Sequence, residues 1–243
     1  MSSLVLCLIA AVVTTPSAAD LLKKADAAES FNAYYAQMQQ TITTTGGEQR
    51  TLVMRGWAVR NGEKQLMEYL APADIKGQRI LMTHDGDDIW MYNAETRRTR
   101  KLGSHMRKRK VMDSDFTYED QAGGKLSEKY TGKVLREEEQ GGAPCWVLEL
   151  TPTPVGPSYA KVVAWIGEAD GVTRRIDFYE DGGGEPFKRL VMSNIHTVSG
   201  KIVPFRMEMT NLVDGGKTST VITKIQYGAR IPESIFESRN LGQ

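Results

Sequence analysis

The chain has 243 residues, and its 31 Lys or Arg residues almost balance its 30 Asp or Glu residues, for a formal net charge of +1. This balance argues against a nucleic-acid binder, which needs a strongly basic surface. Only one of the two cysteines, Cys145, lies outside the first 19 residues, so removal of that segment would exclude an internal disulfide. Cys145 lies in a strand pattern with no histidine nearby, which indicates a buried apolar thiol rather than a nucleophile.

The N-terminus has the features of a secretory signal peptide. Residues 4–13 form an apolar run that is too short to span a bilayer. The small residues Ser17 and Ala19 follow at the positions that a signal peptidase reads, which predicts cleavage after Ala19. We therefore expect residues 1–19 to be a signal peptide, residues 20–243 to form a single domain, and the protein to be exported. A buried core helix is the alternative for the apolar run.

The next element is a helix over residues 20–29, with Asp20 as its predicted N-cap. The pattern then switches to period two, and turn residues separate strand candidates at 34–44, 50–60, 64–70, 79–84, 88–92, 97–102, 132–139, 145–150, 159–166, 172–180, 187–197, 202–212 and 218–227. Short connections predict antiparallel neighbours, and eleven or more such strands cannot stay flat. The expected fold is mainly β with a few helices: one strongly curved antiparallel sheet that forms an incomplete barrel. A short helical turn from Pro232 is expected at the end of the chain.

The sequence contains none of the familiar catalytic or cofactor-binding motifs. It has no Gly-x-Ser-x-Gly elbow, no phosphate-binding glycine loop and no His-Glu-x-x-His pair. Residues 84–88 (HDGDD) have ligand-type side chains without the spacing of a calcium loop, so they favour a hairpin turn over a metal site. We expect no enzymatic activity, no cofactor and no metal.

Methionine and tryptophan recur at alternating positions of the strand candidates. One interpretation is an ordinary core. The other is a cavity, because a large curved sheet encloses volume that thioethers and aromatic rings would line for flexible acyl chains. The candidate lining residues are Met54, Trp57, Met67, Leu81, Trp90, Trp165, Phe178, Phe205, Met207 and Met209. The sequence leaves open which face of each strand lines the cavity.

A cationic run precedes the centre of the chain, with eight Lys or Arg residues within 97–110. Its last part consists of Arg107, Lys108, Arg109 and Lys110. A solvated loop is one interpretation of these four residues. The alternatives are contact with anionic lipid head groups at a membrane surface and contact with an acidic partner protein.

The stretch DSDFTYED (113–120) places two aromatic rings among four carboxylates directly after the cationic run. We expect Ser114 or Asp115 to cap a short helix, with Glu119 and Asp120 near its positive end. Phe116 and Tyr118 are expected to anchor the stretch over the mouth of the sheet, and the cationic run to balance part of its charge. Metal binding by the carboxylates is the alternative, although no histidine completes such a site.

This stretch resembles the SDFSYED signature of the LolA-like outer-membrane lipoprotein-sorting protein family, with Thr117 in place of the family's usual Ser. Further similarity, in the same order as in the family, is found in the helix at 21–28, the segment 69–81, the hairpin at 87–102 and the end of the chain at 231–241. The resemblance implies an incomplete barrel closed by helices over an apolar cavity.

The resemblance also implies a function. The leading hypothesis is a periplasmic, non-enzymatic carrier that binds lipid or lipoprotein acyl chains for transport towards the outer membrane. The alternative is an accessory subunit that docks a resistance–nodulation–division-type inner-membrane lipid exporter through the basic residues and the acidic-aromatic stretch. Peripheral membrane contact fits either hypothesis.

Overall fold

A computed structural model describes residues 15–243 and contains two short helices and thirteen strands in this range. The helices are α1 (Ala18–Glu29) and α2 (Leu126–Lys129). The strands are β1 (Ala33–Thr43), β2 (Gln49–Val59), β3 (Lys64–Ala71), β4 (Arg79–Thr83), β5 (Asp88–Asn93), β6 (Arg98–Lys101), β7 (Tyr130–Gln140), β8 (Ala143–Pro152), β9 (Lys161–Gly167), β10 (Thr173–Tyr179), β11 (Lys188–Val198), β12 (Lys201–Asn211) and β13 (Lys217–Tyr227). The signal-peptide prediction falls almost entirely on residues 1–14, outside the described range, and stays a prediction.

All thirteen strands belong to one antiparallel sheet, in the order β6-β5-β4-β3-β2-β1-β13-β12-β11-β10-β9-β8-β7. Two meanders, β1–β6 and β7–β13, are joined where β1 pairs with β13. A sheet with this many strands must curl because each strand adds to its twist. Strands β6 and β7 are the two free edges, so the barrel is incomplete. The predicted fold class is confirmed.

Residues 103–125, here called the central segment, connect the two free edges. They follow β6 and lead into α2, directly before β7. The segment contains a 3₁₀ turn at Ser104–Lys108 and one bridge that pairs Lys110 with Thr117. Since it joins one edge of the open barrel to the other, the stretch DSDFTYED lies on the connection that spans the opening.

Helix α1 begins earlier than the sequence predicted. Its N-cap is Ser17, whose hydroxyl accepts a hydrogen bond from the backbone N–H of Asp20 at 3.1 Å. The same hydroxyl donates to the Asp20 carboxylate at 2.6 Å, which fixes the capping side chain. The prediction of Asp20 as N-cap was wrong because the helix extends to Ala18, and Ser17 caps it three positions earlier. The buried residues Leu21, Leu22 and Ala25 pack α1 against the sheet.

The face that α1 covers is the inner face of the sheet. Buried side chains from β8, β9, β10 and β12 share one cluster with α1, among them Leu148, Ala164, Phe178 and Met209. A second cluster continues the same face across β1 to β5, with Leu52, Met54, Tyr69, Ile80 and Ile89. The neighbouring residues of each strand point to the outer face, because side chains alternate along a strand.

The end of the chain packs on the outer face. It contains two 3₁₀ turns, Glu233–Phe236 and Ser238–Asn240, and Pro232 is the N-cap of the first. The short helical turn that the sequence predicted from Pro232 is thus present in the 3₁₀ form. Phe236 and Leu241 are buried against Leu66 and Leu81 of β3 and β4. Among the described residues, none of the helices has the length and apolar character needed to cross a membrane.

Candidate functional site

Methionine is concentrated on the inner face. The chain has eleven methionines. Every one of them except Met1 belongs to one of the two inner clusters: Met192, Met207 and Met209 to the cluster around α1, and Met38, Met54, Met67, Met82, Met91, Met106 and Met112 to the other. Thioether side chains are flexible and polarizable, so this face can adapt to apolar groups of different shape.

The structure divides the candidate cavity residues between the two faces. Met54, Met67, Phe178, Met207 and Met209 lie on the inner face. Phe205 follows the same alternation as Met207 and packs edge-on against His196, with 5.3 Å between the ring centroids.

The other four candidates, Trp57, Leu81, Trp90 and Trp165, lie on the outer face. The first three pack beneath the end of the chain. Trp165 belongs to a separate outer cluster with Cys145, and the guanidinium of Arg175 lies 4.0 Å from its ring centroid. Contact with an inner ligand would therefore have to come from the other six candidates.

The central segment covers the inner face with its own apolar side chains. Phe116 is buried in the α1 cluster, whereas Val111 and Tyr118 are buried in the methionine-rich cluster. The anchoring role predicted for Phe116 and Tyr118 agrees with these positions. The predicted short helix at 114–120 was wrong, because this stretch forms a turn instead. The backbone N–H of Val111 donates to the carbonyl of Phe116, the carbonyl of Val111 accepts from the N–H of Ser114, and Lys110 pairs with Thr117.

Asp115 fastens the segment to strand β13. One oxygen of its carboxylate accepts a hydrogen bond from the Thr218 hydroxyl at 2.8 Å, and its backbone N–H donates to the same hydroxyl at 2.8 Å. The other oxygen accepts from Nζ of Lys110 at 2.9 Å. The expectation that the cationic run balances part of the acidic charge is thus met by Lys110. Because Asp115 and Thr218 are buried, the two bonds between them are shielded from water.

Glu119 and Asp120 fasten the other end of the segment. Glu119 accepts hydrogen bonds from the backbone N–H of Ser158 at 3.1 Å and from its hydroxyl at 2.9 Å. Asp120 accepts from Nζ of Lys188 and from the Tyr159 hydroxyl, both at 2.6 Å, and also from the backbone and hydroxyl of Thr117. Burial and the Asp120 charge raise the pKa of the Tyr159 hydroxyl, which therefore remains a donor at neutral pH.

Lys188 is a buried cation on the inner face. Its side chain is 6% exposed, and that of its partner Asp120 is 3% exposed. The ammonium group lies 4.7 Å from the ring centroids of both Tyr159 and Phe178, which adds cation–π attraction in a site with little water. Asp120, Lys188 and Tyr159 form a group that we call the clasp.

The partners of the signature carboxylates were missed at the sequence level. Thr218, Ser158, Tyr159 and Lys188 lie tens of residues away from the carboxylates they contact. One signal was available for Lys188, because its position in the alternation of β11 matches Leu190 and Met192 on the apolar face. A charged residue at such a position indicates a buried partner.

The four basic residues of the central segment differ in their contacts. Arg107 pairs with Asp87 at 2.7 Å, and Lys110 pairs with Asp115. Within residues 15–243, Lys108 and Arg109 have no ion-pair partner, and both are exposed. Of these four residues, Lys108 and Arg109 are therefore the free cations.

The interior holds little empty space in this arrangement. An apolar cavity of about 30 Å³ lies under the methionine-rich cluster, with Met38, Met67 and Met82 in its wall. A larger cavity of about 370 Å³ lies at the rim of the sheet, where charged groups such as Lys108, Glu119 and Lys188 line it together with the rings of Tyr159, Tyr179 and Phe187. Ligand pockets have volumes of roughly 300–1,000 Å³. An acyl chain would fit on the inner face only after the central segment had moved.

The residues considered for metal or nucleophilic chemistry occupy structural positions. In the described part of the chain, no group of three or more His, Cys, Asp or Glu side chains could hold a metal ion. His84 lies in the predicted hairpin turn and contacts Asp88 at 3.1 Å. Cys145 is buried on the outer side of β8, and burial raises the pKa of its thiol.

Comparison with known proteins identifies relatives across nearly the whole chain. A family model described as "-like: Uncharacterized protein" matches residues 61–243. No curated protein matches the sequence. A solved domain from Vibrio parahaemolyticus, described as an outer membrane lipoprotein-sorting protein, has a TM-score of 0.85 and 25% identity, over 93% of this chain and 98% of its own.

Two further solved structures share the fold. A DUF1329 family protein from Desulfovibrio piger ATCC 29098 has a TM-score of 0.84 and 22% identity, over 92% of this chain and 97% of its own. A LolA superfamily protein from Nitrosomonas europaea has a TM-score of 0.76 and 20% identity, over 92% of this chain and 98% of its own. The chain belongs to the family whose model matches residues 61–243, and it has the fold of the LolA-like outer-membrane lipoprotein-sorting proteins.

Proposed function

We propose that the protein is a periplasmic carrier without catalytic activity that binds lipid or lipoprotein acyl chains on the inner face and moves them towards the outer membrane. The observation that carries this proposal is the concentration of every methionine except Met1 in the two inner clusters. An ordinary core has no need for so many flexible side chains, whereas a surface that must accept varied chains does. The description of the Vibrio relative as a lipoprotein-sorting protein supports the same direction.

The energetics allow both capture and release. Each buried methylene contributes roughly 0.8 kcal/mol, so a sixteen-carbon chain supplies about 10 kcal/mol before ordering costs. Part of this energy is offset because the chain must displace Phe116, Val111 and Tyr118, which fill the same space in the closed form. The net affinity is therefore moderate, as a shuttle requires.

The hydrogen bonds of Asp115, Glu119 and Asp120 then set how readily the inner face opens. Thr218→Val removes two of these bonds with little change in side-chain volume. We expect this variant to take up a fluorescent fatty acid faster than the wild type. Thr223→Val on the same strand is the matched control, because Thr223 is exposed and bonds only to the backbone of Gln37.

The direct test is native mass spectrometry, with lipid extraction, of the protein purified from its own compartment. Bound lipid or acylated peptide is the expected result. Protein that carries none, and that also fails to take up fatty acid as the Thr218→Val variant, would contradict the proposal.

A docking role for an inner-membrane exporter is the second candidate, and the free cations Lys108 and Arg109 favour it. We expect charge reversal at these two positions to abolish capture of a membrane transporter while leaving lipid binding intact. Arg98→Glu is the control, because Arg98 is exposed on the edge strand β6. Arg107 and Lys110 are unsuitable for this test since both are in ion pairs.

A further inference from the structure

A separate cavity lies on the outer face, on the opposite side of the sheet from the proposed acyl site. It has a volume of about 330 Å³ and lies between strands β2 to β4 and the end of the chain. Its apolar walls are formed by Trp57, Leu66, Ile231, Ile235 and Leu241. This volume is at the lower end of the range for small-molecule pockets. We call it the outer groove.

The outer groove carries an excess of positive charge. Arg55, Arg79 and Arg230 line it, together with a single acidic side chain, Glu68. Glu68 is 11% exposed at its side chain and accepts hydrogen bonds from Nε of Arg55 at 2.8 Å and from Arg79 at 3.4 Å. One buried carboxylate therefore serves two of the three guanidinium groups.

Arg79 has a structural task. One of its terminal nitrogens donates to the backbone oxygens of Leu241 and Gln243, both at 2.7 Å, and so holds the end of the chain against the sheet. The same side chain reaches Glu68 with its other terminal nitrogen. Its donors are largely occupied by the protein itself.

Arg55 and Arg230 have donors to spare. Arg55 uses Nε for Glu68, and its two terminal nitrogens have no acceptor among the described residues. Arg230 is exposed and has no hydrogen-bond or ion-pair partner within residues 15–243. The guanidinium of Arg55 lies 5.1 Å from the ring centroid of Trp57, which holds it beside the apolar wall.

We propose that the outer groove binds a small amphiphilic anion. Its carboxylate or phosphate group is held by Arg55 and Arg230, because guanidinium groups bind such oxygens in a bidentate manner. Its apolar part lies against Trp57, Leu66 and Ile235. Trp57, which the sequence placed with the acyl cavity, thus lines a different site, while Leu81 and Trp90 belong to the outer cluster that packs beside it.

The two sites can be told apart by tryptophan indole resonances. Trp57 lines the outer groove, and Trp146 is buried in the inner cluster around α1. Titration of the protein with dodecanoate, dodecyl phosphate or uncharged dodecanol is followed by the indole N–H shifts of these two residues. We expect both anions to shift Trp57 with similar affinity, and dodecanol to bind there much more weakly. A response to one anion only identifies the head group.

The variant Arg55→Gln/Arg230→Gln should weaken anion binding at Trp57 about tenfold or more, because each charge-assisted hydrogen bond is lost. Arg98→Gln is the matched control: Arg98 is exposed on the edge strand β6 and does not line the groove. Equal affinity of the double variant and the wild type, or dodecanol binding as tightly as the anions, would overturn the proposal. Shifts at Trp146 alone would also overturn it, while leaving the inner acyl site intact.

Discussion

Replacing Lys188 by methionine tests the clasp that holds the central segment. The substitution keeps much of the side-chain volume but removes the cation that lies 2.6 Å from the Asp120 carboxylate. Removing one partner of a buried ion pair destabilises a protein by about 3–5 kcal/mol, because the remaining charge is left uncompensated. Thr117 and Tyr159 still donate to Asp120, so we expect a loss near 3 kcal/mol in the free energy of unfolding.

Urea unfolding followed by circular dichroism measures this loss. Lys133→Met is the control: its side chain is 68% exposed in a pair with Glu149, and such surface pairs contribute less than about 1 kcal/mol. The double variant Lys188→Met/Asp120→Asn removes both charges, so it should lose about 1–2 kcal/mol less than the sum of the single losses. A loss below about 1 kcal/mol in Lys188→Met, or strict additivity in the double variant, would refute the buried-pair reasoning.

Further predictions concern acid stability and close packing. Hydrogen bonds from Arg174 hold the pKa of Asp170 below its ordinary 3.8, so the pair stabilises the fold above that pH and its contribution is lost as the pH falls through the lowered pKa. Asp170→Asn should therefore be less stable than the wild type at pH 7, and the difference should disappear in acid; a constant difference would argue against the ion pair. Gly123→Ala places a Cβ 2.2 Å from the carbonyl oxygen of Gly62. This substitution should lower the free energy of unfolding by about 1–3 kcal/mol, which calorimetry detects as a lower thermal midpoint. Gly184→Ala, with open space around its Cβ, should stay within about 0.5 kcal/mol, and an equal loss there would show that steric contact is not the cause.

Most of the strand pattern could be predicted from the sequence because short turns separate strands with clear alternation. Val203, Met207 and Met209 alternate with exposed or half-exposed polar residues along β12, and this period of two defines both the element and its faces. The antiparallel order follows from the short connections. Where β1 meets β13 could not be predicted, since the pairing joins the two ends of the chain.

The faces were harder to assign where both sides of the sheet are covered. Strand β9 is buried at Val162, Val163, Ala164, Trp165 and Ile166 in succession, so its sequence is a continuous apolar run without a polar side. Trp57 and Trp90 lie on the outer face but are covered by the end of the chain, so they are apolar like the residues of the inner face. Hydrophobicity alone therefore could not separate the proposed acyl site from the outer groove.

The sequence identified the central segment as a family signature, but it did not predict the conformation of the segment. Its carboxylates had the composition of a helix N-terminus, yet they bond to Thr218, Ser158 and Lys188 on distant strands. These contacts outweigh the local helix-capping propensity, because hydrogen bonds from fixed donors and a cation stabilise a buried carboxylate more than capping a short exposed helix would. The anchoring of Phe116 and Tyr118 was predictable since large aromatic side chains in such a connection need a place to be buried.

Photo-crosslinking tests the central claim most directly. A diazirine-bearing sixteen-carbon fatty acid is added to the intact protein, irradiated, and the labelled peptides are identified by mass spectrometry. We expect labels on inner-face peptides, at or next to Met54, Met207 and Met209, and a higher yield with Thr218→Val than with Thr223→Val. Labels confined to the outer groove around Trp57, or the absence of saturable labelling, would contradict an acyl carrier that uses the inner face.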